Sequence, residues 1–527
     1  MAYAITQSCC ADASCVSACP VNCIHPTPDE PDFGTTDMLF IDPSTCIDCG
    51  ACADACPVDA AKPSDQLTGP LTAYIERNAE YFSAAEPAAA APAPASVKAA
   101  ARAATVDLRR DRVYPRPVSP ATRGLRVAVV GTGPSAGYAV QEILRSTDAD
   151  ITLIDRNPEP GGLVRFGVAP DHPSTKRIGG TFVQAFRHPR VTMRLGVAVG
   201  RDVSHADVLA HHHAVVYATG AETPRDLGID GEDLPGSLAA MTFMEWANGM
   251  PGAAAPAGLT ASSGEGGRSV VVGNGNVAID VARLLLSGPE RLAATGIAPG
   301  ALEALRSSDV TEVVLLARRG PADAAFAPKE FLGLFQLPGL EIVVDGDPGI
   351  SGEIAGGGPM SAAALLREIP VRDVDWTRPP AGPRLVLRFH STALEASGDG
   401  SVQSVRVSDR NGGTRDIPAG MLIRSIGSRG AAIDGLPYDE GTGVIPSDGG
   451  RVAPGSYVTG WAKRGPTGGI GANRTCAAET VGALIDDAEA GKLTAPARNA
   501  RAFGRLARSR SRSTRSSSWP APALSAS

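Results

Sequence analysis

Beyond Cys56 the chain holds one cysteine, Cys476, although it runs to 527 residues and carries ten cysteines in all. A redox-active C-x-x-C pair is therefore excluded from the larger part of the molecule, and dithiol–disulfide chemistry with it. No stretch is apolar for long enough to read as a membrane span, and the opening MAYAITQSCC has no basic segment followed by an apolar one. The expectation is a chain without membrane contact, in a reducing cytoplasm. The Arg/Ser run RSRSRSTRSSS, Arg508 to Ser518, has no interleaved aromatics, which speaks against nucleic acid and for a solvated, disordered tail over 501–527. The 43% apolar content is enough for buried cores, while 60 Gly and 43 Pro imply many tight turns. A chain of this length exceeds one core and is expected to form three or four units.

Nine of the cysteines fall between Cys9 and Cys56, a clustering that favours metal over disulfides in a cytosolic chain. CIDCGACADACP, Cys46 to Pro57, matches C-x2-C-x2-C-x3-C-P without a gap. Short spacing lets a tight loop present three thiolates to one cluster, while the fourth cysteine, before proline, ligates the other cluster. Cys46, Cys49 and Cys52 then share a [4Fe-4S] cluster with Cys19, and Cys9 and Cys15 share a second centre with Cys56. The earlier copy, CCADASCVSACP, departs at one place: counting back in threes from Cys15 meets Asp12 before Cys9. Carboxylate is a harder, weaker iron ligand than thiolate. The second centre is expected as [3Fe-4S] or an Asp12-ligated [4Fe-4S], with Cys10 as the rival fourth ligand. Competing readings are a structural zinc site for Cys46 to Cys56, a plain surface acid for Asp12, and a buried free thiol for Cys23.

Residues 1–65 carry ten acids against one lysine, a net −9, whereas 501–527 carry six arginines and no acid, a net +6. The overall −7 conceals an acidic head and a basic tail. LTAYIERNAEYF, Leu71 to Phe82, reads as a short helix, and the Ala/Pro-rich stretch after it as a semi-extended tether that frees the head to move, the two filling 67–122.

A regular pattern begins at Arg123. LRVAVVGTGPSAGYAVQEIL is a buried strand, a glycine turn and a helix: Gly131 makes the turn, Gly133 lets backbone approach a pyrophosphate, and Ala136 permits close helix packing. The helix N-terminus offers N–H groups to phosphate. The next strand, DITLID, ends in Asp155, where an acid binds ribose hydroxyls. A second copy, SVVVGNGNVAIDVARLLL, gives Gly273, Gly275 and Ala278 the same roles, but its following strand, EVVLLARRG, ends in Arg318 and Arg319. Cations at that corner suit the 2′-phosphate of NADP and not NAD.

The head, 1–66, resembles a two-cluster bacterial ferredoxin of α+β fold. GTGPSAGY, GGLVRFGVAPDHPSTK, GNGNVAIDVAR, ARRGPADAAF and GWAKRGPTGGIG resemble the adrenodoxin-reductase-type ferredoxin–NADP reductases, and head and remainder together resemble fusions of a ferredoxin to such a reductase. The resemblance implies an α/β architecture after the head, with an FAD-binding Rossmann-like domain in two parts, 123–220 and 424–500. A nested NADP-binding Rossmann-like domain, 221–423, interrupts it, and this nesting implies a nicotinamide brought over the flavin. It places FAD on Gly131, Gly133, Ser135, Asp155, Leu163, Val199, Trp461, Gly468, Gly469 and Ile470. NADP falls on Arg225, Asn274, Gly275, Asn276, Val277, Arg318, Arg319, Glu330 and Gly468. Gly161 stands where relatives often carry an aromatic, and Asp155 where Glu is commoner. The activity implied is electron transfer between NADPH, FAD and the iron–sulfur head, then onward to a ferredoxin or a monooxygenase, by a monomer without bound nucleic acid. No catalytic acid, base or nucleophile is required; His172 is either a flavin-tuning residue or a structural histidine.

Three rival functions fit these motifs less well. A thioredoxin-reductase-type enzyme fails on the missing C-x-x-C. The NADPH-oxidising subunit of glutamate synthase shares the nested folds, but its cysteines do not form a compact two-cluster head. A non-catalytic redox sensor predicts a degraded NADPH site, against the intact Gly273 turn and arginine pair. His211 to His213, with no matching acids or cysteines, read as the rim of a loop.

Overall fold

A valine-rich run that ends in a tight glycine turn leaves no side chain for water, and each such run here becomes a central parallel strand. The structure, a computed structural model, describes residues 2–33, 35–83, 118–259, 267–346, 348–358, 361–410 and 412–510. The Ala/Pro tether and the Arg/Ser run beyond 510 lie outside the described residues. The described chain forms two compact units: one holds the head with 166–176 and 224–427, the other 118–165, 177–223 and 428–510.

The head is built from two short antiparallel ribbons, Tyr3–Ile5 with Ala61–Pro63 and Ile24–His25 with Phe40–Ile41. Ribbons this short are not stable alone. The helix Ala73–Ser83 closes over both, close to the expected Leu71 to Phe82. Its Asn78, 2% exposed, accepts from the N–H groups of Ile5 at 3.0 Å and Ile41 at 2.8 Å and donates to the Ile5 carbonyl at 2.9 Å. One buried amide therefore joins the two ribbons. The head is also fastened to the nested domain, which is why the two share a unit: Lys329 Nζ donates to the Cys9 carbonyl at 2.7 Å, and the Tyr74 hydroxyl to the Lys329 carbonyl at 3.1 Å.

In the nested domain seven strands pair in parallel, in the order Ser237–Ala239, Met421–Arg424, Arg268–Val272, Glu312–Leu316, Arg384–Arg388, Glu341–Asp345, Val371–Arg372. Both faces are covered. Val271, Val313, Leu315 and Leu385 pack under helices such as Asn276–Leu286, while Val270, Val314, Val343 and Val386 meet a three-stranded antiparallel sheet through Val405, Val407 and Ile417. In the second unit the order is Arg451–Ala453, Ser456–Val458, Ala214–Tyr217, Arg126–Val130, Asp150–Asp155, Val191–Leu195, parallel except at the first pairing. In each sheet strands are added on one side of the glycine-turn strand and later on the other. The order thus reverses beside Arg126–Val130 and beside Arg268–Val272, the crevice where doubly wound sheets bind ligands.

Four expectations need correction. Residues 166–176 pack with the nested domain, because Asn248 Nδ2 donates to the carbonyls of Phe166 at 3.0 Å and Val168 at 2.9 Å. The unit boundaries fall at 224 and 427, where 221 and 423 were expected. The expected disordered tail begins too early, since Ala500–Arg510 is a helix. Its apolar residues recur at helical spacing among the arginines, and Phe503 and Ala507 are each 1% exposed. That helix also overturns the loop-rim reading of the histidines: His211 and His212 are 1% exposed, their rings 5.4 and 5.0 Å from that of Phe503.

His212 Nδ1 faces the Val208 carbonyl at 2.9 Å and Nε2 the Thr152 hydroxyl at 2.9 Å, a set that suits a neutral ring. Burial lowers its pKa to about 4. Its pKa lies below that of the unfolded chain, so the unfolded state binds the extra proton and stability falls as pH drops from about 6.5 toward 4. We expect the acid-side loss to shrink in His212→Gln by about 3 kcal/mol at most, read from urea midpoints of the two proteins at pH 7 and pH 4.5; identical slopes would remove His212 from the acid response.

Candidate functional site

The two glycine turns are built alike. The Gly131 N–H donates to the Ile154 carbonyl at 2.7 Å and that of Gly273 to the Leu316 carbonyl at 2.9 Å, so each turn is tied to the strand beside it. Both have positive φ, +108° and +119°. Gly133 and Gly275 cap the helices Pro134–Ser146 and Asn276–Leu286 with no side-chain bond, which leaves the first N–H groups free to meet an anion. Ala136 and Ala278 are wholly buried, as close helix packing requires.

Around the first turn the expected flavin residues converge through a residue outside the expected set, Asn473. Its Oδ1 accepts from Ser135 Oγ at 2.8 Å and Arg464 Nη2 at 3.1 Å, and its Nδ2 donates to the carbonyls of Gly469 at 3.3 Å and Ile470 at 3.0 Å. The Trp461 indole donates to the carbonyls of Thr467 at 3.1 Å and Gly468 at 3.3 Å. Ser135, Trp461 and the 468–470 loop are thus held together. Asp155 accepts from Thr132 Oγ1 at 2.6 Å and the Asn157 N–H at 2.8 Å, and burial pushes its carboxyl up. Leu163 follows Gly162, where a Cβ would come within 2.7 Å of Gly133 Cα. Val199 bridges to Val203 at the edge of the same core.

In the nested domain Asn274 and Asn276 bind the 325–327 segment, accepting from the N–H of Ala325 at 3.4 Å and Ala327 at 2.6 Å, with Val277 against the core. Arg318 and Arg319 stand exposed past Glu312–Leu316, and the Arg319 guanidinium makes an exposed contact to Asp323 at 3.7 Å. Such a pair is weak and yields to a stronger anion. Arg225 is exposed, its N–H bonded to the Gly427 carbonyl at 3.1 Å. Glu330 meets His172 at 3.6 Å. Both belong to a network around Arg283, which is 3% exposed and contacts Asp171 at 2.6 and 3.0 Å and Asp280 at 2.5 Å. Arg283 Nη2 also lies 2.7 Å from His172 Nε2, and since arginine only donates, that nitrogen is the acceptor. Burial works to raise the Asp171 carboxyl, but the Arg283 guanidinium holds it below its ordinary value. His172, Asp280 and Glu330 lie close enough to surround a cation, and Arg283 already supplies that charge.

The head repeats one backbone twice. Ala11 and Ala13 have φ of 52° and 61°, Asp48 and Gly50 of 58° and 76°, and short helices follow at Ser14–Ala18 and Ala51–Ala55. Asp12 therefore occupies the place in the first loop that Cys49 occupies in the second. Its carboxylate accepts from the Ser14 N–H at 3.1 Å and hydroxyl at 2.7 Å. Cys19, Cys46, Cys49 and Cys52 line one cavity, together with Cys23, whose Sγ is 3.4 Å from that of Cys19. On the other side burial pushes the Cys15 thiol up, with Cys9, Cys56 and Asp12 adding to it. Burial likewise raises Cys10, beside Cys9 and Asp12. Loading a metal centre there must release protons.

The family described as 4Fe-4S dicluster domain matches residues 8–60. Over 530 aligned residues the chain is 44% identical to the probable ferredoxin/ferredoxin–NADP reductase of Mycobacterium bovis, covering 97% of this chain and 88% of that protein. The chain belongs to the ferredoxin/ferredoxin–NADP reductase family. NADPH:adrenodoxin oxidoreductase of Mus musculus, a mitochondrial protein, is 38% identical over 70% of this chain and 79% of its own length. Mycobacterium tuberculosis FprA, solved in complex with NADPH, superposes with a TM-score of 0.66 at 36% identity, over 74% of this chain and 90% of FprA.

In this chain the signal that would have marked Asn473 is an amide in the first turn of the long helix Ala472–Glu489, directly after the glycine loop. Asn473→Ala leaves the Ser135 hydroxyl and two loop carbonyls without this partner. We expect it to destabilise the second unit by about 2 to 3 kcal/mol, and Asn473→Asp, which sets an acceptor against the two loop carbonyls, by at least as much. Equal urea midpoints for all three proteins would show that the amide does not hold the loop.

Proposed function

We propose that this chain is a ferredoxin–NADP+ reductase with a built-in acceptor, passing electrons between NADPH and its own iron–sulfur head by way of FAD. In balanced form, one NADPH and two oxidised one-electron centres give NADP+, a proton and two reduced centres, and the reverse. The observation that carries this reading is the pair of glycine turns at two reversal points with opposite charge at the neighbouring strand ends, Asp155 at one and Arg318 and Arg319 at the other. FAD, when bound, supplies the conversion between hydride and single-electron chemistry.

The residues of the first turn fit FAD. The uncapped N–H groups after Gly133 take a pyrophosphate, Asp155 has acceptor capacity for a ribose hydroxyl, and Ser135, Leu163, Val199, Trp461 and the 468–470 loop complete the set. In the nested domain the N–H groups after Gly275 take the NADP pyrophosphate, Arg318 and Arg319 its 2′-phosphate, and Arg225, Asn274, Asn276, Val277, Glu330 and Gly468 the remainder. His172 keeps two readings, a flavin-tuning residue or a structural histidine, and its contacts with Arg283 and Glu330 favour the structural one. Cys19, Cys46, Cys49 and Cys52 hold a [4Fe-4S] cluster. Cys9, Cys15 and Cys56 hold a second, [3Fe-4S] or [4Fe-4S], with Asp12 favoured over Cys10 at the fourth corner because its backbone repeats that of Cys49. Among the described residues no helix is long and apolar enough to cross a membrane. The working form is taken as a cytoplasmic monomer that hands electrons to a further ferredoxin or a monooxygenase.

Anaerobic NADPH added to the intact chain should reduce the head, and the arginine pair should set the cofactor. Each charge-assisted contact to phosphate contributes about 1.5 to 3 kcal/mol, so Arg318→Ala with Arg319→Ala should raise KM for NADPH at least about tenfold and leave that for NADH nearly unchanged. An equal loss with both cofactors would take the pair out of the 2′-phosphate site.

Asp12→Cys should complete a thiolate set and convert a [3Fe-4S] or Asp-ligated EPR signal into an ordinary [4Fe-4S] one. If Asp12→Cys leaves the spectrum as it was while Cys10→Ala changes it, Cys10 is the ligand.

A further inference from the structure

The two sides of the head share a backbone but not their surroundings. On the Cys9 side the thiols of Cys9, Cys10 and Cys15 are buried, and three consecutive residues are gripped from outside the head. Gln7 Oε1 accepts from Gln336 Nε2 at 3.1 Å, the Ser8 carbonyl from Thr175 Oγ1 at 3.4 Å, and the Cys9 carbonyl from Lys329 Nζ at 2.7 Å. Lys329 is itself held, its carbonyl accepting from the Tyr74 hydroxyl at 3.1 Å. It adjoins Glu330 in the helix Pro328–Leu334, and Thr175 lies just beyond His172. The two stretches that build the His172–Glu330 contact are therefore the ones that grip the Cys9 loop. The Cys46 side is open by comparison: Cys49 is exposed and Ile47 is 58% exposed.

We propose that electrons reach the head through its Cys9–Cys15–Cys56 side, that Lys329 is the positioning residue which seats this side on the nucleotide-binding unit, and that the Cys46 side is the outward one. The proposal rests on the relay reading above. Electron transfer falls steeply with separation, and the three consecutive bonds fix how close this side lies to the nested domain. The residue chosen matters as well. A cation against the backbone of a cluster ligand favours the reduced, more negative form and raises that centre's potential, and the acidic head has one lysine of its own, Lys62, which pairs with Asp59. The two electrons of each NADPH cross this contact one at a time, no bond being made or broken there, and NADP+ and a proton are left behind.

The test uses the full chain with its clusters, the two EPR signals assigned with Cys49→Ser, which alters the Cys46-side centre directly. Freeze-quenched samples after NADPH should show the Cys9-side signal reduced first. Lys329→Gln, with iron and sulfide contents as in the wild type, should slow head reduction at least tenfold relative to flavin reduction in the same traces. It should also lower the potential of the Cys9-side centre while that of the other stays in place, and Lys329→Arg should restore both. Reduction of the Cys46 side first, or a Lys329→Gln protein with unchanged rate and potentials, overturns the proposal. If NADPH reduces the flavin but neither centre, the relay reading falls instead. Potentials poised with a chemical reductant would then still decide the Lys329 seat.

Discussion

A side-chain carbon has no place where the glycine-turn strand of either large sheet ends. A Cβ on Gly131 would lie 2.4 Å from the Ala218 carbonyl oxygen, and one on Gly273 would lie 2.2 Å from that of Ser425. Each turn therefore passes hard against the strand on the far side of the reversal point, and the helix after it begins at the mouth of the crevice. The uncapped N–H groups at the start of each helix are set at that crevice by the one approach. Crowding of backbone on backbone, rather than any single polar bond, is what sets the architecture of both nucleotide crevices.

Charge then decides how segments distant in sequence associate. Asp171, Asp280 and Glu330 would repel one another without the Arg283 guanidinium among them, and a buried charge persists only when paired. The pairing draws 166–176 onto the nested domain, against the order in which the chain is written. Asn248 does the same with neutral groups, binding two carbonyls of that segment.

Features with local causes were legible in the sequence. Gly131, Gly133, Gly273 and Gly275 are marked by the strand before them and the helix after them, although the backbone that crowds Gly131 and Gly273 comes from Ala218 and Ser425. The doubled cysteine loops were legible for the same reason, down to Asp12 in the register of Cys49. What was not legible depends on partners far along the chain. Asn473 acts on Ser135, 338 positions away, and Lys329 on Cys9, 320 away. His211 and His212 look like surface residues until Phe503, carried by a helix near the other end of the chain, covers them. The arginines of that helix drew attention to charge, and Phe503, Leu506 and Ala507 among them decided its fate.

Asn78 has a consequence for how this head is inherited. The cysteine pattern ends at Cys56 and the first ribbon at Pro63, so a cut near residue 66 looks natural. Such a cut discards the amide that joins the ribbons and leaves the N–H groups of Ile5 and Ile41 without the acceptor they share. The smallest portable electron carrier in this chain therefore extends to Ser83, the end of the closing helix. Gene rearrangements that graft this module onto another reductase have to carry that helix along, which makes its last turn the natural seam for recombination.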